Sequence, residues 1–260
     1  HGVTMPAEII AFPDFAPPPP INPAGLALFL DLDGVLAPIV DRPDGVKPDP
    51  RRTAMLSRLA VCLDRRLAIV SGRTVDEVSA ITEDAVAAVA GVHGLQRRTV
   101  LGDTVVALPD PALDEALEVF RALANAQPAL LVEDKGLSVA LHYRGAPAAC
   151  EAVREAARRL EASTDLVLQE GDMVAELRTR GADKGEAVKA FMAEAPFRGA
   201  TPIFVGDDLT DEDGFVAASA MGGYGVLVGP SRRRTVARYR LSGVDAVFDW
   251  LGAAAVERAS

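Results

Sequence analysis

At 260 residues, with 49% hydrophobic, 25% charged and 5% aromatic side chains, the chain is large enough for one large or two modest domains with a real core. Its formal charge of −10, with no basic run beyond Arg232-Arg233-Arg234, argues against nucleic acid and anionic lipid as partners. No apolar stretch approaches the roughly 20 residues that span a bilayer, and Cys62 and Cys150 lie outside any CxxC or Cys/His spacing, so reduced thiols in a cytoplasmic monomer are expected.

The native chain is read as starting at Met5 without a secretory signal, and residues 1–24 as a flexible proline-rich segment outside the fold. "LALFL" (26–30) is the first strand, followed by a helical pattern with Met55, Leu56, Leu59 and Leu63 on one face. "RLAIV" is a second buried strand ending at Ser71-Gly72-Arg73, and a helix is expected over 74–81, before "GVHG" at 91–94. Toward the other end, "KGEAVKAFMAEA" reads as a helix and "PIFVG" and "YGVLVG" as strands. Short continuous apolar runs mark strands covered on both faces, hence an α/β fold with a Rossmann-like, doubly wound parallel sheet.

Residues 104–177 carry a different pattern. Asp110 and Pro111 open a helix with Leu113, Leu117, Phe120 and Leu123 on one stripe. "LSVALHYR" alternates, with Leu137, Val139, Leu141 and Tyr143 on one face and Ser138, Ala140, His142 and Arg144 on the other. A second helix follows, then a hairpin around Glu170-Gly171-Asp172. The expectation is an inserted α+β cap, two helices on a small antiparallel sheet, dividing a core made of residues 25–103 and 178–260.

Chemistry gathers where the core strands end, which is where open parallel sheets bind ligands. Asp31 and Asp33 close the first strand, Ser71, Gly72 and Arg73 the second, Lys184 opens a helix, and "GDDLTDED" packs five acids into seven positions from Asp207 to Asp213. Two carboxylates about 4 Å apart repel by about 4 kcal/mol at an effective dielectric of about 20. Their convergence calls for a hard cation, and oxygen ligands suit Mg²⁺. Taken singly, each segment has an ordinary alternative: an Asx turn, a helix N-cap, a solvated lysine, a solvated acidic loop. The set, in this order, is what points to a site.

"DLDGVL", "SGR", Lys184 and "GDDLTDE" resemble the four motifs of the haloacid dehalogenase-like phosphatases. The resemblance implies a Mg²⁺-dependent phosphatase working through an aspartyl-phosphate. Asp31 would be the nucleophile and Asp33 the general acid, then base. Ser71, Gly72 and Arg73 would hold the phosphoryl group with Lys184. Asp207 and Asp208 would join Asp31 and Asp33 at the metal, with Asp211 supporting. "VEDKGLSVALHYR", "GDMVAELRTRGADKGEAV" and "GVHG" further resemble the trehalose-6-phosphate phosphatase family, across about residues 26–250. That likeness implies a sugar phosphate substrate held by Glu133, Lys135, Glu176, Arg144 and His93. Val35 stands where that family usually has Thr, and Val92 where it has Asn.

From alternation alone, Glu133 with Lys135, and Glu176 with Val174 and Arg178, share strand faces, which suits either a polyhydroxyl ligand or ordinary cross-strand ion pairs. His93 is equally readable as a structural histidine. Other readings left open are a phosphatase for sucrose or glucosylglycerate phosphate, a phosphomutase, or an idle sugar-phosphate sensor.

Overall fold

The computed structural model describes residues 15–256; the expected start at Met5 lies outside them. The elements in chain order are β1 (Leu26–Leu30), α1 (Pro50–Cys62), β2 (Leu67–Val70), α2 (Val75–Thr82), β3 (Ala88–Gly91), β4 (Gln96–Arg98) and β5 (Thr104–Val106). Then come α3 (Leu113–Ala126), β6 (Leu131–Asp134), β7 (Ser138–His142), α4 (Cys150–Ser163), β8 (Val167–Gly171) and β9 (Val174–Arg178). The chain closes with α5 (Lys184–Met192), β10 (Thr201–Gly206), α6 (Glu212–Ala220), β11 (Tyr224–Val228), β12 (Tyr239–Leu241) and α7 (Val244–Val256).

The large sheet runs β12-β11-β10-β1-β2-β3-β4-β5. The six strands from β12 to β3 are parallel, and β4 and β5 add an antiparallel extension. Strand order reverses at β1, whose neighbours β2 and β10 lead outward in opposite directions, so β1 and β10 flank a topological switch point.

Both faces of the parallel part are covered, as its unbroken apolar runs require. On one face Leu28 and Leu30 of β1 meet Leu56 and Leu59 of α1 and Phe248 and Leu251 of α7. On the other, Phe29 stacks on Phe197 with ring centroids 5.5 Å apart and lies beside Phe191 of α5. Local signals start the helices where expected: Asp49 caps α1 with Pro50 at its first position, and Thr74 and Glu77 form a capping box on α2.

The second sheet, β6-β7-β9-β8, is wholly antiparallel. One face packs on α3 and α4 through Val139, Leu141, Ala175 and Leu177 against Phe120, Val153 and Leu160. The opposite face looks onto the carboxyl ends of the core strands. Asp172 and Met173 form the two-residue turn between β8 and β9, with Met173 at φ 58°. The two connections between the sheets run side by side, since Asp110 N–H donates to Thr179 Oγ1 at 3.0 Å.

Three expectations need correction. Residues 104–106 pair with β4 in the large sheet, not with the cap, and Arg178 closes β9 of the cap sheet. Thr104–Val106 are exposed throughout, so no alternation betrays their partner. The proline segment is not detached from 15 onward. Its carbonyls accept what its prolines cannot donate: Trp250 Nε1–H reaches Pro19 O at 2.9 Å, Arg240 N–H reaches Ala16 O at 3.1 Å, and Ile21 is buried. Asp110 does not cap α3 itself; its carboxylate takes the N–H of Ala112, the residue just before the helix, at 2.8 Å.

Candidate active site

Asp31 follows β1 directly, tied to the sheet by its N–H to Val205 O at 2.9 Å, and is 6% exposed. Lys184, the first residue of α5, sits where the helix dipole disfavours a cation. It is buried, and its ammonium donates to Asp31 Oδ2 at 2.8 Å and to Asp211 Oδ1 at 2.6 Å. The two carboxylates offset that unfavourable position. Burial alone would pull the Lys184 pKa down; Asp211 and Asp31 push it above its ordinary value.

One lysine does not balance the acids. Carboxylate oxygens of Asp31, Asp207 and Asp211 lie within 4.8 Å of one another. Burial and then Asp211 push the Asp31 carboxyl well above its usual range, and the same two causes push Asp207 up to about 8. A site this short of positive charge, lined by oxygen donors, fits a hard divalent cation. The backbone makes room for it: Gly34 sits at φ +77°, and a Cβ there would lie 2.0 Å from Asp207 Oδ2.

The acidic loop sorts its own members. Asp211, fully buried, accepts the N–H groups of Asp207 and Asp208 through Oδ2 at 2.9 and 3.0 Å. Asp208 caps the short 3₁₀ turn after it by accepting Leu209 N–H at 2.7 Å. The geometry groups Asp211 with Asp31 and Asp207 and gives Asp208 a capping contact.

Asp33 is held by Arg73, whose Nε and Nη2 donate to its two oxygens at 2.8 and 2.9 Å, while Nη1 donates to Pro43 O. Arg73, expected on the phosphate side of the site, is occupied here by the second aspartate. Ser71 is buried beside it and accepts Arg73 N–H at 3.1 Å through Oγ. Gly72 is where the loop and the His93 ring approach most closely, since a Cβ there would come within 2.7 Å of that ring.

The cap sheet closes over this floor. Lys135 Nζ donates to Gly72 O at 3.0 Å and to Glu176 Oε1 at 3.1 Å, so the cap touches the loop after β2 directly. Glu176 also receives Ser138 Oγ–H at 2.5 Å and faces His93 Nε2 at 3.0 Å. Burial would raise the Glu176 pKa, but Lys135, His93 and Ser138 together hold it far below the ordinary 4.5. Burial lowers His93, and its Nδ1 is shielded from solvent with no hydrogen-bond partner. Val92 and His93 reach this position through consecutive positive φ values of 45° and 54°, an uncommon conformation for a β-branched residue.

Glu133 pairs with His142, Oε2 to Nε2 at 2.8 Å, and Arg144 pairs with Asp172 at 2.7 Å in a more exposed position. Two connected spaces result. A chamber of about 190 Å³ is bordered by Glu133, Lys135, His142 and Arg144, and one of about 820 Å³ by Asp31, Lys184, Asp207 and Gln169; Asp33, Gly72, His93 and Glu176 border both. Sequence reasoning assigned no individual role to Ser138, His142 or Gln169, although it placed His142 with Arg144 on a face suited to a polyhydroxyl ligand. Strand alternation put the first two on the right face; cross-strand register, which adds the third, is not written in the sequence.

A parallel sheet carrying an aspartate pair after its first strand, a buried lysine, an acidic loop and a separate cap defines a haloacid dehalogenase-fold phosphatase. Solved structures agree on the fold. The Candida albicans trehalose-6-phosphate phosphatase C-terminal domain superposes with a TM-score of 0.79 at 24% identity, covering 88% of this chain and 91% of that one. A phosphatase of the haloalkanoate (HAD) enzyme superfamily from Bacteroides thetaiotaomicron superposes at 0.60 with 16% identity, over 87% and 95%. In sequence, the family model for trehalose-phosphatase matches residues 29–245. The Escherichia coli (strain K12) trehalose-6-phosphate phosphatase is 42% identical over 231 residues, 88% of this chain and 86% of that protein. The chain belongs to the trehalose-phosphatase family.

Proposed function

We propose that the protein hydrolyses trehalose 6-phosphate to trehalose and inorganic phosphate, by way of a phosphoryl group carried on Asp31. The observation that carries the reading is the placing of two unlike surfaces around adjoining chambers that share Asp33, Gly72, His93 and Glu176. The floor supplies a buried carboxylate–lysine–carboxylate cluster, and the roof supplies Glu133, Lys135 and Glu176 on one strand face.

A carboxylate attacks a phosphate dianion poorly because both are negative. Lys184 places its charge between Asp31 and Asp211 and stabilises the equatorial oxygens as the transition state spreads charge onto them. Asp31, Asp207 and Asp211 would hold Mg²⁺, whose charge when bound lowers the same repulsion. As an Asp31 oxygen bonds to phosphorus, the bond from phosphorus to the sugar oxygen breaks, and Asp33 gives that oxygen its proton. Asp33 then takes a proton from water, whose oxygen attacks phosphorus, and the Asp31 carboxylate and phosphate are released. Arg73 keeps Asp33 aimed through both half-reactions.

The roof reads the sugar. Carboxylates and an ammonium that are already hydrogen-bonded to one another can exchange those bonds for sugar hydroxyls, and a ligand lacking the hydroxyls leaves them unpaired. The test is phosphate release from a panel of sugar phosphates and an aryl phosphate, with and without EDTA. Glu133→Ala, Lys135→Ala and Glu176→Ala should each lower kcat/KM for trehalose 6-phosphate by about 30- to 1,000-fold relative to the aryl ester. Parallel loss on both substrates would move these residues from sugar binding to structural support.

A further inference from the structure

Gln169 lies directly across the strand pair from Glu176, in register with it in β8 and β9. The pairing continues across the sheet from Glu176 to Ala140 and from Ala140 to Glu133. Residues in register on adjacent strands share a face, so Glu133, Ala140, Glu176 and Gln169 form one row across the cap, at roughly 4.8 Å per strand. The neighbours of Gln169 fit this orientation. Leu168 packs toward the cap helices, and Glu170 pairs with Arg154 and Arg158 of α4, which leaves Gln169 on the side of the core.

The side chain has an unspent capacity. Gln169 Oε1 is shielded from solvent with no hydrogen-bond partner, and a buried acceptor left unpaired costs about 1 to 3 kcal/mol. Glu176, Ser138, Lys135 and His142 in the same roof are all bonded. Gln169 also borders the larger chamber, the one containing Asp31, Lys184 and Asp207. Its terminal torsion is broad and roughly two-fold, so a half-turn exchanges the carbonyl and amine ends facing that chamber.

We propose that Gln169 is a specificity-determining residue that hydrogen-bonds a hydroxyl of the substrate, extending the row of Glu133 and Glu176 over the reacting phosphate. The proposal rests on the sugar-phosphate reading above. It places an uncharged amide, donor and acceptor in one group, on the chamber that holds Asp31 and Lys184, where a further carboxylate beside Glu176 would repel the phosphate. Polyhydroxyl ligands suit such a group because each hydroxyl both donates and accepts.

The test is Gln169→Met, which keeps length and removes both polar atoms, read as the ratio of kcat/KM for trehalose 6-phosphate to that for an aryl phosphate, alongside thermal unfolding. The ratio should fall about 3- to 10-fold, the range for one neutral hydrogen bond, mainly through KM. The melting temperature of the free enzyme should stay level or rise, because the unpaired oxygen is gone. An unchanged ratio in a variant of an enzyme that does hydrolyse trehalose 6-phosphate would overturn the role of Gln169 alone. So would a fall in melting temperature with equal loss on both substrates. A wild type that cleaves the aryl ester but not trehalose 6-phosphate would overturn the substrate reading, and the proposal with it.

Discussion

Arg73 meets Asp33 as a two-toothed clamp, with Nε and Nη2 on separate carboxylate oxygens at 2.8 and 2.9 Å. The guanidinium is itself anchored by Pro43 O and is largely shielded, so the clamp fixes direction as well as charge. Lysine offers a point charge and cannot reproduce the planar fork. Arg73→Lys should therefore lower kcat by about 10- to 100-fold, the scale of a misaligned acid–base group, with a smaller change in KM. Steady-state kinetics on one good substrate decide it; a KM effect alone would make Arg73 a phosphate ligand, as its place in the motif first suggested.

The carboxylate cluster predicts a stabilising metal. With Asp31, Asp207 and Asp211 converging on one lysine, Mg²⁺ should raise the melting temperature, since any ligand of the folded state adds about 2.7 kcal/mol at 100 times its dissociation constant. Asp207→Asn should abolish the shift. Calorimetry in EDTA and in Mg²⁺ reads this without reference to turnover, and identical melting curves would count against the metal site.

Lys184 is buried between two acids, and its removal leaves both uncompensated. Breaking such a buried ion pair from one side costs about 3 to 5 kcal/mol. Lys184→Met should lose stability on that scale in chemical denaturation and lose activity as well. Adding Asp211→Asn should recover part of the stability and none of the activity. Failure of the second substitution to recover stability would mean that Asp211 is balanced by something other than Lys184.

The Glu176 network predicts an acid limit. Its pKa is held below the ordinary 4.5 despite burial, so below that pH the unfolded chain binds the proton more readily than the folded one. The stability from this group is then fully present above about pH 4.5 and is lost as pH falls through the folded value. Unfolding free energies between about pH 5 and 3 should drop with acid, and Glu176→Gln should flatten that slope. Equal slopes in the two proteins would show that the network is not linked to folding.

The core of this arrangement was legible because its chemistry sits at strand ends. Leu26–Leu30 reads as a covered strand, and acids at its carboxyl end, ambiguous alone, point to a site once joined by the other strand-end segments. The choice among the five acids of 207–213 was not legible. It depends on which carboxylate folds back onto the loop's own N–H groups, and Asp211 does so where Asp208 caps outward. β4 and β5 were missed because three-residue strands with half-buried and exposed side chains carry no period. The proline segment misled for a related reason: lacking donors, it docks through carbonyls, and their partners Trp250 and Arg240 lie at the far end of the chain.

The paired connections between the two sheets have a mechanical consequence. A domain hung from one strand can swivel about it in any sense, but here the outgoing and returning strands are bolted together at Asp110 and Thr179. The tie at Asp110 and Thr179 shortens the free length of both tethers at once, which narrows the range of angles the roof can take over the floor. Lys135 on the carbonyl of Gly72 is a second attachment between roof and floor, so their alignment is built into the chain before any visitor arrives.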